Sequence, residues 1–267
     1  MFNTLCGSGR RVRAHVAVDT GMGRMGVWQD DAVDVICKMM SLPHLEIAGL
    51  ATHLAVADED EIFTAEQIAK FEQIVAQLRE AGVQAPVIHA LSSAGVIRFS
   101  GRAQGMIRAG LMLYGVSPVP GFQDRLRPVM TLKTRVTLVR EISAGRSISY
   151  GRTFTAVRAM RVATLAVGYA DGYPRSLSNH GADVLIQDRR CPVLGRVTMD
   201  QIMADVTALE NVAPGDEAVL IGRQGGAEIP ATELAEKAGT IAWEIFTGIK
   251  GRVVRIYLHG MESSAKS

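Results

Sequence analysis

Short apolar runs and helix-period segments take turns along the first half of the chain, and no other feature of it restricts the fold as much. His15 to Asp19 (HVAVD) has the make-up of a buried strand, and Asp30 to Met40 follows with Val33, Ile36, Cys37 and Met40 at helical spacing. Glu46 to His53 reads as a second strand. A long helix over Ile62 to Ala81 carries Ile68, Phe71, Val75 and Leu78 on one face, and Gly82 stops it. Val87 to Ala90 and Met106 to Tyr114 supply two more apolar runs, parted by a short helix over Ala94 to Phe99. Strands joined through helices run parallel, because each crossover returns the chain to the same end of the sheet. A complete (β/α)8 barrel needs roughly 250 residues, and only about 118 precede the next change of pattern, enough for four β/α units. The parallel part is a small open sheet or half of a barrel.

The pattern changes after Pro118, Pro120 and Gly121. Thr131 to Arg140 alternates with a period of two, and further apolar runs follow at Arg161 to Val167, Val184 to Gln187, Gln201 to Val206 and Glu217 to Ile221. Gly, Pro, Asp and Asn divide them, which is the spacing of an all-β domain. One amphipathic helix, Ala231 to Ala238, is framed by Pro230 and Gly239. Arg252 to Leu258 reads as a final strand, and Ser263 to Ser267 as a frayed tail. The expected organisation is α/β plus all-β, with a parallel domain over 1–120 and an antiparallel β domain over 121–267.

Charge excludes one class of partner. Lys and Arg number 29 against 27 Asp and Glu, and no basic run stands out, so nothing here attracts nucleic acid. No apolar run approaches the ~20 residues that cross a bilayer, and the polar opening MFNTLCGSGRRVR has no apolar core like that of a signal peptide. No membrane partner is expected. Cys6, Cys37 and Cys191 are odd in number and far apart, which argues against a disulfide framework and a Cys-rich metal site. A cytoplasmic protein without a metal is the expectation, and a small polar or zwitterionic substrate suits its charge.

Several segments place chemistry at strand ends. Asp19-Thr20-Gly21-Met22-Gly23-Arg24-Met25-Gly26 sets flexible glycines and an arginine directly after a strand, where parallel α/β folds bind ligands. The Asp-Thr-Gly triplet also occurs in aspartic proteases, but those need two such carboxylates in an all-β setting, and no second copy is present. A plain βα turn is the other reading. His53 ends a strand, though a single histidine is more often a hydrogen-bonded core residue. Arg108 lies inside an apolar run, which is costly unless acceptors meet it, in a structural ion pair or a site. Ser147 to Gly151 and Gly168 to Gly172 read locally as β-turns with aromatic edges.

Taken in order, HVAVDTGMGRMG, GLATHLAVAD, HALSSAG, MIRAGLMLYG, AGRSISYGRTFTA, ATLAVGYADGYPR, PVLGRVTMDQIMADVT and EIFTGIKGRVVRIY resemble the alanine racemase family of fold-type III pyridoxal 5'-phosphate (PLP) enzymes. The blocks run from Val12 to about Tyr257, nearly the whole chain. The resemblance implies a (β/α)8 PLP-binding barrel joined to a β domain, and a homodimer whose active sites combine the barrel of one subunit with the β domain of the other. It implies an isomerase that interconverts L- and D-alanine for peptidoglycan synthesis.

By the same resemblance Tyr150 matches the catalytic tyrosine, and His53 and Arg108 match the histidine and arginine associated with it. Arg108 faces the pyridine nitrogen of PLP in that family. A fixed cation there keeps the nitrogen unprotonated and weakens the cofactor as an electron sink. Arg24 matches a residue near the cofactor's phenolic oxygen and the substrate carboxylate. Ser93, Gly110 and Leu111 match phosphate-holding positions, Met199 and Asp200 a pair beside the substrate, and Tyr169 the entrance.

Three positions depart from the pattern. Ala17 stands where many members have a lysine, Ala109 where a proline follows the arginine, and Trp243 where a tyrosine bonds the phosphate. Nothing in the chain resembles V-K-A-N-A-Y-G-H-G, the segment with the lysine that holds PLP as a Schiff base. The block at Asp19 answers to the fifth barrel strand, so the expected fold is the carboxy-terminal half of the barrel, strands 5 to 8, followed by the β domain. This implies an N-terminally truncated racemase, inactive as this chain alone. A catalytically silent binding module, and a racemase of serine, lysine or arginine, are the alternatives.

Overall fold

The computed structural model describes residues 11–258, and two compact units meet between Val129 and Met130. Cys6, Lys266, the chain's opening residues and the expected tail at Ser263 to Ser267 lie outside the described residues.

In the first unit, β1 (Val12–Asp19), β2 (Val27–Trp28), β3 (Leu45–Ala51) and β4 (Val87–His89) form one sheet in the order β2-β1-β3-β4, every pair parallel. Helices α1 (Ala32–Met40), α2 (Glu61–Glu80) and α3 (Ser93–Phe99) make the connections. The Asp60 carboxylate accepts the N–H groups of Ile62 and Phe63 and starts α2. Gly82, at φ +82°, lets the chain leave that helix through a left-handed turn. The buried face of α2 carries Ile68, Phe71, Ile74, Val75 and Leu78; most of them pack with Val16, Val18, Ile47, Leu50 and Ile88 of the strands. This one-sided burial orders the strands and gathers the carboxyl ends of β1, β3 and β4.

Met106 to Tyr114, expected as a strand, is not one. Its one bridge is the isolated Ser92–Arg108 pair, Met106 N–H donates to the Ile88 carbonyl of β4 at 3.3 Å, and Leu111–Tyr114 winds into a 3-10 turn. Glycines at 105 and 115, both at positive φ, bend the chain at each side. Between them the Arg108 side chain turns to the backbone carbonyls of Thr52, His89 and Ala90. The brief β2 was not foreseen, since two residues carry no periodicity.

The second unit is antiparallel. Its seven strands follow the order β13-β12-β5-β8-β11-β10-β9, from β5 (Leu132–Ile142), β8 (Met160–Leu165), β9 (Asp183–Ile186), β10 (Arg189–Leu194), β11 (Ile202–Asp205), β12 (Glu217–Gln224) and β13 (Ala227–Ile229). β9 also pairs with β12, so six strands close into a ring and β13 lies outside it. Closure leaves the ring strands without open edges. Register shifts at Val136/Leu138 and Val219/Ile221 supply the bends. Val184, Leu185, Ile186, Val219 and Leu220 at the centre of the core are fully buried. Helix α4 (Ala231–Ala238) adds Leu234 to that core and ends on Gly239 at φ +70°. A short hairpin of β6 (Ser147–Ile148) and β7 (Phe154–Thr155) projects from the unit.

Arg252 to Leu258, expected as a final strand, has no strand partner among the described residues. Val254, Ile256, Tyr257 and Leu258 are each at least 78% exposed. An extended segment without a neighbouring edge makes no ladder, whatever its alternation.

Candidate active site

Arg108 organises the strand ends of the first unit. Its two terminal nitrogens reach the carbonyls of Thr52 at 2.7 Å, His89 at 3.1 Å and Ala90 at 3.0 Å. One of them also lies 2.5 Å from His89 Nδ1 and the other 3.2 Å from His53 Nδ1. A guanidinium only donates, so both imidazoles accept at Nδ1 and each carries its own proton at Nε2. The next link follows: His89 Nε2 lies 2.7 Å from His15 Nδ1 and donates to it. Burial and the positive charges of Arg108 and Arg24 hold the His53 pKa below the usual value. Burial, Arg108 and His15 push His89 down to about 4. Both rings are neutral at pH 7 and cannot take a second proton without facing an arginine.

His15 fits this chain because residue 49 is glycine. A Cβ there would come within 2.8 Å of the His15 ring and 2.6 Å of the Val87 carbonyl. The β1–β3 register also shifts between Ala14 and His15, which sets the histidine on its present face.

The turn bearing Arg24 is shaped by Asp19. Its carboxylate accepts the N–H groups of Gly21, Met22, Gly23 and Arg24 at 2.8–3.1 Å. Burial disfavours that charge, yet the four donors together hold its pKa below the ordinary carboxylate value. Behind the turn, the Thr20 and Thr52 hydroxyls meet at 2.7 Å, and Gln67 of α2 accepts from Ala55 N–H at 2.9 Å while its amide nitrogen reaches Thr20 and the His53 carbonyl. A cleft of about 180 Å³ opens between these ends, with Ala17, Ala51 and Thr52 along it beside Arg24, His53 and Arg108. Its lining contains no lysine. The Ser93 oxygen collects the N–H groups of Gly110 and Met112 at 2.9 and 3.3 Å, which draws positions 93, 110 and 111 into one corner.

Tyr150, Tyr169, Met199, Asp200 and Trp243 belong to the second unit. Tyr150 follows β6 on the hairpin and is 70% exposed. Tyr169, Met199 and Asp200 come together: the N–H groups of Tyr169 and Ala170 donate to the Thr198 and Met199 carbonyls at 3.0 Å. Gly168 allows this approach, since a Cβ there would collide with both of those carbonyls. Arg252 then ties the two segments, 2.8 Å from Asp171 and 2.9 Å from Asp200. Trp243 stands on α5 (Ala242–Gly248), 40% exposed.

Sequence reasoning missed His15, His89, Gln67 and Arg252. His89 had a signal, since it heads HALSSAG at a strand end. Gln67 had a weaker one, a polar residue beside an apolar helix stripe. Among the described residues no group of three His, Cys, Asp or Glu is placed to hold a metal.

Residues 2–118 match the family model described as alanine racemase, N-terminal domain, and residues 129–257 the one described as alanine racemase, C-terminal domain. The alanine racemase of Symbiobacterium thermophilum is 49% identical over 252 residues, 93% of this chain and 67% of that protein. That of Halothermothrix orenii is 48% identical over 248 residues, 92% of this chain and 65% of that protein. The chain thus spans about two thirds of the length of the curated relatives it matches. Among solved structures, alanine racemase from Bacillus anthracis with bound L-Ala-P superposes with TM-score 0.88 at 36% identity, covering 96% of this chain and 67% of that one. Alanine racemase from Streptomyces coelicolor A3(2) gives 0.89 at 33% identity, covering 97% and 70%.

Proposed function

Because the chain belongs to the alanine racemase family, we propose that it carries the Arg108, His53 and Tyr150 machinery of a PLP-dependent racemase acting on alanine. The observation that carries this reading is the Arg108 cluster, a cation braced by three carbonyls and two neutral histidines beside a cleft at parallel strand ends.

The donor set fits PLP. Arg108 and Arg24 suit an anionic aromatic ring; by the family resemblance Arg108 would meet its pyridine nitrogen and Arg24 its phenolic oxygen. Ser93, Gly110, Leu111 and Trp243 would hold the phosphate. When bound, PLP supplies the sink for the electrons left as the α-proton departs. Every further role belongs to the chain. Tyr150 holds or releases a proton at its phenolic oxygen on one face of the substrate's Cα. His53 presents an N–H at Nε2, which favours the phenolate form of a tyrosine placed against it. Arg24, Met199, Asp200 and Tyr169 orient a small zwitterion. We further propose a homodimer in which the second unit of one copy brings Tyr150 to the cleft of the other, working in the cytoplasm on D-alanine for peptidoglycan. Two described cysteines, Cys37 and Cys191, are free thiols, and no described helix is long and apolar enough to cross a membrane.

A second reading, that the chain binds PLP without turning over substrate, draws support from the lack of a lysine along the cleft. One experiment addresses both. PLP titrated into the full chain should bind at one equivalent, at least tenfold more weakly in Arg108→Leu and Arg24→Ala. Binding unchanged in both variants would remove the cleft from the proposal. With a segment that carries the Schiff-base lysine supplied alongside the chain and PLP, appearance of D-alanine from L-alanine, abolished in Tyr150→Phe, selects the racemase; binding without turnover even then selects the second reading.

A further inference from the structure

We infer that Ser149, locked onto the turn at Gly195-Arg196, is the positioning residue that aims the Tyr150 phenol; this rests on the proton-transfer role proposed for Tyr150. Within its own chain the Tyr150 side chain is largely exposed, so on that side its direction depends on its backbone rather than on packing. That backbone is unusual. Ser149 has φ +66°, Gly151 +72° and Arg152 +51°, so three of the four residues from 149 to 152 have positive φ, a conformation that serine and arginine rarely take. Glycine would adopt φ +66° at residue 149 without steric cost. The presence of serine is explained by what its hydroxyl does.

Ser149 Oγ donates to the Arg196 carbonyl at 2.6 Å. Two close approaches hold the same surfaces together. A Cβ on Gly195 would come within 2.8 Å of the Ile148 carbonyl and 3.0 Å of Ser149 Cβ, so this turn reaches the hairpin only as glycine. On the other side of Tyr150, a Cβ on Gly151 would lie 2.9 Å from the Arg196 guanidinium carbon. Arg196 therefore grips the residue before Tyr150 with its carbonyl and covers the residue after it with its side chain. The hairpin base is anchored as well, with Ile148 and Ala156 buried against Met160, Val162 and Leu194.

The turn continues into the segment that carries Met199 and Asp200. Val197 N–H donates to Ser178 Oγ at 3.0 Å, and the Thr198 hydroxyl donates to the Gln201 carbonyl at 2.7 Å. One stretch of backbone, 195–200, thus connects the Tyr150 loop to the residues proposed to lie beside the substrate. The Ser149 bond sets the phenol relative to them.

The test compares the full chain with Ser149→Ala and Ser149→Gly by amide hydrogen exchange and by relaxation of a carbon label in the Tyr150 ring. Loss of one hydrogen bond should speed exchange of the 150–153 amides about tenfold and lower the ring's order parameter in both variants, with β8 and β12 unchanged. Ser149→Gly is the discriminating variant. If backbone strain alone governs the loop, glycine leaves it as ordered as serine or more so, and the positioning role is overturned. Tyr150→Phe, with the lysine-bearing segment supplied alongside the chain and PLP, separates this from the reading beneath it: a loop loosened by the Ser149 variants together with full racemisation by Tyr150→Phe sinks the role of Tyr150, and with it any purpose for the aim.

Discussion

The His89 ring sits where a proton is least welcome, buried, against the Arg108 guanidinium and beside His15, and its pKa is about 4. In an unfolded chain the same ring titrates near 6.5. Between those values the unfolded state binds a proton that the folded state refuses, so stability falls as pH drops from about 6.5 and levels off below about 4. His89 contributes up to about 3 kcal/mol across that window. His89→Asn keeps an acceptor for Arg108 and does not titrate. Urea unfolding of this variant should depend less steeply on pH than that of the parent, by about 2 kcal/mol between pH 6.5 and 4.5. Equal slopes in the two proteins would place the proton sensitivity elsewhere.

Helix α2 shows how an element can serve both core and site. Its stripe of Phe71, Ile74, Val75 and Leu78 packs on the strands, while Gln67, 1% exposed, points one polar group at their ends. There it holds the Ala55 N–H and reaches Thr20 and the His53 carbonyl. Gln67→Leu keeps comparable bulk but leaves the part-buried Ala55 N–H without its acceptor, at a cost of about 1–3 kcal/mol. Lower stability is the expected result, with faster exchange at the Ala55 amide and weaker PLP binding. If only stability changes, the brace belongs to the fold and not to the cleft.

At the scale of the molecule the two units differ in how they end their sheets. The second closes six strands into a ring and encloses its own core. The first presents an open order with the short strands β2 and β4 at its edges. Residues 130–258 should therefore fold by themselves. The isolated segment is expected to give a β-type circular dichroism spectrum and one cooperative thermal transition, whereas a broad, gradual melt would show that its core depends on the rest of the chain.

Read alone, the sequence determined the elements with strong periodicity and the identity of the family. The stripe of α2, the Pro230 and Gly239 limits of α4 and the alternation of β5 are local patterns, and local patterns report which face a residue presents. The same reading placed His53 and Arg24 at strand ends and Arg108 inside an apolar run. It could not join His15, His89 and Arg108, which stand far apart along the chain and meet because β1, β3 and β4 lie side by side, with Gly49 leaving room between them. Nor could it show that β9 returns to β12, that Arg196 grips the Tyr150 loop, or that Arg252 to Leu258 has no strand partner among the described residues. Periodicity holds no information about a partner. Sheet order and register choose it, and those are settled only when the whole fold buries its apolar faces.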